Sequence, residues 1–73
     1  MQRTLASKRL NRIRVVLAEQ NRKHKWLADK LGKNPATISL WCNNTRQPSL
    51  ETLEEVAKVL NVDIRQLLNT TKE

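Results

Sequence analysis

Histidine and cysteine, the side chains that most often build catalytic and metal sites, occur once each in this 73-residue sequence, as His24 and Cys42. A single cysteine forbids an internal disulfide, and with one histidine it cannot complete the ligand set of a structural zinc. No nucleophile or second acid lies near His24 in the chain, so we expect it to donate a hydrogen bond to a phosphate, or to be a bystander, and not to act as a base. The sequence therefore predicts no enzyme, no metal and no cofactor, and shows no pattern for a small-molecule ligand.

Basic side chains are concentrated in the first two thirds of the chain. Residues 1 to 48 contain 11 lysines and arginines against two acids, whereas residues 49 to 73 contain three basic and five acidic side chains. This asymmetry favours a polyanion as the partner of the first part and another role for the second, with a basic domain that has no such partner as the alternative.

Composition favours one small all-α domain. Leu, Ala, Glu, Lys and Arg are frequent, and no alternating run of Val, Ile or Thr indicates a strand. No linker, repeat or low-complexity segment interrupts the chain, so we expect a single domain over residues 1–73 with an ordered core at about 8–69. Without a signal-like apolar segment, or a run near the roughly 20 residues of a membrane span, we expect a cytoplasmic location and no membrane partner.

Apolar periodicity predicts five helices joined by short connections. The first is expected to begin at a cap between Thr4 and Ser7 and to end near Asn21. The second contains Trp26, which we expect to be a half-buried cover over the first helix, with a place beside DNA or a partner as the alternative. The stripes expected to be buried contain Leu10, Ile13, Val16, Leu17, Leu27, Ala28, Leu31, Ile38, Trp41, Leu50, Leu53, Val56, Ala57 and Leu60.

The only glycine, Gly32, is expected to end the second helix, because a helix stop with positive φ has no steric penalty for glycine. Asn34 is a favoured N-cap and Pro35 suits the first helical position, so the third helix begins there. Two helices joined by so few residues cross steeply, and Ala28 is small where they would be closest. The arrangement is a helix-turn-helix.

The fourth and fifth helices are predicted from their end signals. Ser49 is the expected cap of the fourth helix, whose early glutamates suit the helix dipole, and Asn61 can adopt the left-handed conformation that stops it. Asp63 is expected to begin a short fifth helix that runs through Leu68.

Residues 27–44 read LADKLGKNPATISLWCNN, and residues 48–62 read PSLETLEEVAKVLNV. From about Arg12 to Leu68 the chain resembles the Cro and phage-repressor type of helix-turn-helix domain, the XRE family, whose typical segments read LAEKLGVSxSTISRWENG and PSLETLxxLAxxLxV. The resemblance implies a compact five-helix, lambda-repressor-like fold that binds double-stranded DNA, usually as a dimer, to regulate transcription. The family often pairs an arginine with a glutamate where this chain has Leu17 and Cys42. We expect this apolar pair to be tolerated together, with Cys42 filling the core in preference to a redox role.

The outer face of the third helix is the predicted base-reading surface. If Ile38 and Trp41 face the core, a rotation of 100° per residue centres the opposite face on Ala36 and Leu40. The resemblance implies that the first residues of this helix reach base edges in the major groove. None has the long polar side chain of a bidentate base contact, so we expect methyl contacts and DNA shape to contribute. Leu40 as cover for a neighbouring apolar surface is the alternative. The predicted residues are Pro35, Ala36, Thr37, Ser39 and Leu40.

Phosphate contacts are predicted around the starts of the second and third helices and the turn after the third. Helix N-termini offer free N–H groups and a positive dipole to an anion. A single basic residue is usually a solvated surface charge, so the prediction depends on clustering. The predicted residues are Lys23, His24, Lys25, Lys33, Asn34, Asn43, Asn44, Thr45, Arg46 and Gln47.

The sequence therefore predicts a nucleoid-associated, sequence-specific repressor that binds a palindromic operator as a dimer. The resemblance places the two-fold contact at the fifth helix and the connection before it, with Val59, Ile64, Arg65 and Leu68. Ile64 and Leu68 could instead close the monomer core. We expect a weak homodimer that is completed on DNA. An antitoxin-like or restriction-modification controller protein, whose main role is to bind a partner protein, is the second hypothesis.

Overall fold

Four α-helices account for most of residues 9–70, the part of the chain that the computed structural model describes. They are α1 (Ile13–Glu19), α2 (His24–Leu31), α3 (Pro35–Cys42) and α4 (Leu50–Leu60), and a 3-10 helix, Ile64–Leu67, follows them. α2 packs against α3 and α4, α1 packs against α3, and the 3-10 helix packs against α1 and α4. Within residues 9–70 no strand forms beyond one antiparallel bridge. The all-α class is confirmed, and a 3-10 helix replaces the expected fifth α-helix.

One hydrophobic core lies between these helices. Its burial confirms most of the predicted stripes, including the joint burial of Leu17 and Cys42. Trp26 is half-buried against the core, as expected, and the Arg22 guanidinium lies 4.2 Å from its ring centroid. The core residues are Ile13, Val16, Leu17, Leu27, Ala28, Ile38, Trp41, Cys42, Leu53, Val56, Ala57, Leu60 and Leu67.

Helix ends predicted from local signals are confirmed at five positions. Gly32 is left-handed with φ 66°, and Asn61 is left-handed with φ 57°. The side chain of Asn34 accepts a hydrogen bond from the backbone N–H two residues on, and that of Ser49 accepts one from the N–H three residues on. Asp63 caps the 3-10 helix. Its carboxylate accepts a hydrogen bond from the backbone N–H of Arg65, and this bond is the main cause that lowers the pKa of the carboxyl.

The start of the first helix is predicted wrongly. The expected cap, at residues 4 to 7, lies outside the described residues, but α1 begins only at Ile13. The side chain of Asn11 accepts a hydrogen bond from the Ile13 N–H at 3.0 Å, and the N–H of Arg12 donates to the Leu67 carbonyl at 2.8 Å. These bonds hold the preceding residues out of the helix. Leu10 therefore precedes α1 and is exposed instead of lying on its buried stripe.

Two apolar residues of the C-terminal half lie outside the core, which differs from the prediction for Leu50 and speaks against core closure, the alternative role, for Leu68. Leu50 is 71% exposed, because no element within residues 9–70 covers the first turn of α4, where it lines a groove with Glu51, Glu54 and Ile64. Leu68 lies just after the 3-10 helix in an extended conformation and is 42% exposed. Neither residue belongs to the core.

Gly32→Val is expected to lower the free energy of unfolding by about 2 kcal/mol, because a β-branched residue is strained at positive φ. A Cβ at this position would meet no atom within 4 Å, so the cost comes from the backbone and not from a clash. Gly32→Asn is the matched control, since asparagine adopts positive φ at three other positions of this chain. Equal urea midpoints for the two variants would contradict the prediction.

Candidate nucleic-acid interface

The start of α2 is exposed, basic and without a capping side chain. Its N-cap, Lys23, makes no side-chain capping bond, and the first turn of the helix contains no acid. The first N–H groups of the helix and its dipole therefore face outward with exposed lysines beside them. Lys25 forms a 3.2 Å ion pair with Asp29, but both side chains are solvent-exposed and such pairs are weak. The arrangement can hold a phosphate group.

The outer face of α3 carries the five residues predicted to read bases. Pro35, Ala36 and Leu40 are exposed, while Thr37 and Ser39 are half-buried. By the helical period Ala36 and Leu40 lie opposite the buried residues, Thr37 and Ser39 lie on the two flanks, and Pro35 is in the exposed first turn. The helix itself contains no charged residue, and Asn34 caps its first turn. Lys33 is exposed in the turn before this cap.

The first residue of α2 contacts this face directly. Nδ1 of His24 lies 3.2 Å from Oγ of Ser39, and both side chains are half-buried. The sequence placed both residues in the interface, but the hydrogen bond between them could not be predicted from their spacing.

The loop after α3 presents a second polar surface. Asn43 ends α3, and it is exposed together with Thr45 and Arg46. The backbone N–H groups of Thr45 and Arg46 both donate to the carbonyl of Leu40, at 3.0 and 3.2 Å. The loop therefore turns back beside α3, which brings the backbone of Arg46 next to that of Leu40.

Asn44 needs a correction, because its side chain supports the loop from inside. It is only 7% exposed and adopts φ 59°. Its Oδ1 accepts hydrogen bonds from the N–H groups of Leu10 and Asn11, each at 2.9 Å, and its Nδ2 donates to the Asn11 carbonyl at 3.2 Å. A side chain committed in this way is not free to bind a phosphate.

Asn11 is the residue of this site that the sequence reasoning missed. Its Nδ2 donates to the carbonyl of Trp41 at 2.9 Å and to Oε1 of Gln47 at 2.7 Å, while Nε2 of Gln47 donates to Oδ1 of Asn44 at 3.1 Å. We call Asn11, Asn44 and Gln47 the amide clamp. The signal for Asn11 was an N-cap residue type two positions before a buried isoleucine. Gln47 is exposed, but both ends of its amide are used within the clamp.

Cys42 is a core residue without a reactive thiol. Burial raises its pKa to about 11, partly opposed by the charge of Arg14, so the sulfur stays protonated at neutral pH. Residues 9–70 contain no cluster of His, Cys, Asp and Glu that could hold a metal ion. None of the helices in the same range has the length and apolar character needed to cross a membrane.

These features define a class of protein. A short helix with an open, basic N-terminus crosses a second helix whose outer face is exposed, and a left-handed glycine joins them, which is the geometry of a helix-turn-helix DNA-binding domain. The sequence model of the helix-turn-helix family matches residues 13–67. The chain belongs to the Cro/C1-type, or XRE, helix-turn-helix family.

A solved structure shares this fold. The chain is 60% identical to the protein in the "Crystal structure of a putative DNA-binding protein from Bacteroides fragilis", with a TM-score of 0.81. The match covers 82% of this chain and 97% of that one. A search of curated protein sequences finds no match.

Proposed function

We propose that this protein is a transcriptional repressor that binds a palindromic operator as a dimer. The observation that carries the proposal is the continuous surface formed by the start of α2, the outer face of α3 and the loop at Thr45 and Arg46. Between residues 20 and 48 the only carboxylate is Asp29, and it is paired with a lysine. The same residues contain six lysines and arginines, and a surface whose charge is so largely of one sign is unnecessary for a protein contact but attracts a duplex from a distance. Occupying an operator is by itself enough to exclude other proteins from it.

The base contacts in this proposal are mainly apolar. Ala36 and Leu40 are placed to meet thymine methyl groups, and Leu40 keeps 37% of its surface exposed in the free protein. The hydroxyls of Thr37 and Ser39 flank the centre of the face on its two sides, and Pro35 lies at its N-terminal end. Because these groups discriminate between bases less strongly than bidentate side chains, DNA shape contributes to the choice of site.

The phosphate contacts fall into two groups. At the start of α2, Lys23, His24 and Lys25 surround the open helix end. A second group lies at the two ends of α3 and consists of Lys33, Asn34, Asn43, Thr45, Arg46 and Gln47. The amide of Gln47 belongs to the clamp, so this residue contributes through its backbone.

The proposed dimer contact lies in the C-terminal part of the domain. Leu68 is exposed and Val59 and Ile64 are half-buried, so the monomer core leaves apolar surface here. The groove beside Ile64 measures about 420 Å³ and has Glu51 and Glu54 on its wall. In a two-fold contact these acids can meet the exposed Arg65 of the other copy, which within residues 9–70 of its own chain forms an ion pair with Asp63. The patch is small, so DNA completes the dimer.

Selection of bound duplexes from a random pool, followed by sedimentation with the selected site, tests this function. We expect a symmetric motif whose half-sites lie about one helical turn apart, and two copies of the protein on each duplex at saturation. A motif without symmetry, or a 1:1 complex on a symmetric site, would contradict the dimer. Binding that does not weaken with salt would contradict DNA recognition itself.

Arg46→Ala is expected to weaken binding to the selected duplex and to random duplexes by the same factor, because a phosphate contact carries no sequence information. The slope of log K against log salt should fall by about 0.9 for each lost contact. Lys58→Ala is the matched control, since it removes the same charge from α4, where Lys58 lines a groove with Glu55 and Val59. A changed base preference in Arg46→Ala, or an equal loss in the control, would contradict the assignment.

A further inference from the structure

The hydrogen bond between His24 and Ser39 joins the two kinds of contact in the proposed interface. His24 is the first residue of α2, at the open helix end that we assign to a phosphate. Ser39 lies on the base-reading face of α3, and its Oγ is 3.2 Å from Nδ1 of the imidazole. The second ring nitrogen, Nε2, makes no other side-chain bond within residues 9–70 and can face the phosphate. The protonation state of His24 is therefore connected to whether the Ser39 hydroxyl donates or accepts their shared hydrogen bond.

When the imidazole is neutral, a bound phosphate fixes the direction of this hydrogen bond. A neutral imidazole carries one ring proton, and phosphodiester oxygens only accept hydrogen bonds. If Nε2 meets the phosphate, the proton lies on Nε2, and Nδ1 must accept the hydrogen of the Ser39 hydroxyl. Ser39 then offers only lone pairs to the DNA. In the major groove such an acceptor suits the amino groups of adenine and cytosine.

Protonation reverses the hydrogen bond. The imidazolium donates from both nitrogens, so Nδ1 now donates to Ser39 Oγ and the hydroxyl hydrogen is released. Ser39 can then donate to guanine N7 or O6, or to thymine O4, while it keeps one lone pair for an amino group. Discrimination at the contacted base pair is therefore expected to relax.

We propose that His24 determines which bases Ser39 accepts, by setting whether the Ser39 hydroxyl meets the DNA as an acceptor only or as a donor as well. This inference rests on the proposed function, because both residues must contact a duplex. It assigns to His24 a positioning role at a base pair that it does not touch.

Other titratable groups lie near this pair on three elements. Lys23 and Lys25 flank His24 on its own element. The one titratable side chain of α3, Cys42, lies on the core side of the helix, and burial raises its pKa to about 11. α4 also packs against α2, but its Glu55 and Lys58 line a groove with Lys30, near the opposite end of α2.

The test is selection of duplexes from a random pool by the full chain at pH 5.5 and at pH 7.5. This sequence contains one histidine, so a pH-dependent change in base preference that disappears when His24 is replaced reports on that side chain. At pH 7.5 we expect one position in each half-site to select adenine or cytosine, whose amino group can donate a hydrogen bond to Ser39. At pH 5.5 this preference should fall by about twofold to tenfold, which is the range expected for one hydrogen bond.

We call the proposed control of the Ser39 hydroxyl by His24 the relay. Two variants separate the relay from general effects of pH. His24→Gln keeps a polar side chain that does not titrate, so its base preference should be identical at both pH values. Ser39→Ala should show no preference at this base pair at either pH, while the other positions of the motif are unchanged. Circular dichroism confirms that each variant is folded, and ¹⁵N NMR of the imidazole in the complex at pH 7.5 should show the proton on Nε2.

The outcomes distinguish this inference from the proposed function. If no duplex is selected at either pH, the proposed function fails. If a motif is selected but the wild-type preference is the same at both pH values, or if His24→Gln keeps the pH-dependent change, the relay is refuted and the proposed function stands. A proton found on Nδ1 in the complex at pH 7.5 refutes the relay as well.

Discussion

Leu40→Glu is expected to lower affinity for the selected duplex by at least about a hundredfold, while the free energy of unfolding changes by less than about 0.5 kcal/mol. The side chain is exposed at the centre of the proposed reading face, so the monomer tolerates a charge there. In the major groove the new carboxylate would lie between phosphates and would also replace an apolar contact. Titration of a labelled duplex measures the affinity, and urea unfolding measures the stability.

Val15→Glu is the control for this variant. Val15 is 42% exposed on α1, away from the outer face of α3, and the substitution changes the net charge by the same amount. Its affinity for the duplex should fall by less than about threefold, through the weaker long-range attraction alone. Equal losses in Leu40→Glu and Val15→Glu would show that Leu40 does not lie against the DNA.

Asn44→Ala is expected to lower the free energy of unfolding by about 4 kcal/mol. The buried backbone N–H of Asn11 and the partly buried N–H of Leu10 lose their acceptor, at about 1–3 kcal/mol each, and alanine adds strain at φ 59°. Domains of this size have a total stability of only roughly 4–11 kcal/mol, so much of the margin would be lost. Thermal and urea unfolding measure the change.

Two neighbouring substitutions separate the causes of this loss. Asn44→Gly removes the same hydrogen bonds without the strain at positive φ, so it should be about 1 kcal/mol less harmful than Asn44→Ala. Asn43→Ala changes an exposed residue with a right-handed backbone and should be nearly neutral. If Asn44→Ala were as stable as Asn43→Ala, the amide clamp would have no energetic importance.

The helix-turn-helix could be predicted from the sequence because its signals are local. The stop at Gly32 and the cap at Asn34 depend on backbone conformations and hydrogen bonds within two or three residues. The alternation of buried and exposed positions on α3 follows from the helical period alone. Local signals of this kind also predicted the caps of α4 and of the 3-10 helix.

The amide clamp could not be predicted, because its members come together only in the fold. Asn43 and Asn44 are adjacent and identical in type, yet one is exposed and the other is buried against a segment 33 residues away. Leu50 shows the opposite case, since its spacing fits the buried stripe of α4 but none of the elements that the structure describes extends far enough to cover it. In each case the outcome depends on which distant element lies nearby, and periodicity does not contain that information.

The pairing of the segment before α1 with the segment after the 3-10 helix has a consequence for the order of folding. The N–H of Arg12 donates to the Leu67 carbonyl at 2.8 Å, and the N–H of Asn69 donates to the Leu10 carbonyl at 2.9 Å. Closing so long a loop has a greater entropic cost than forming the short turns between α2, α3 and α4, so these local contacts can form first. The clamp that fixes the loop at Arg46 needs the segment at Asn11 in place. We therefore expect α3 to form before the loop at Arg46 takes its final position.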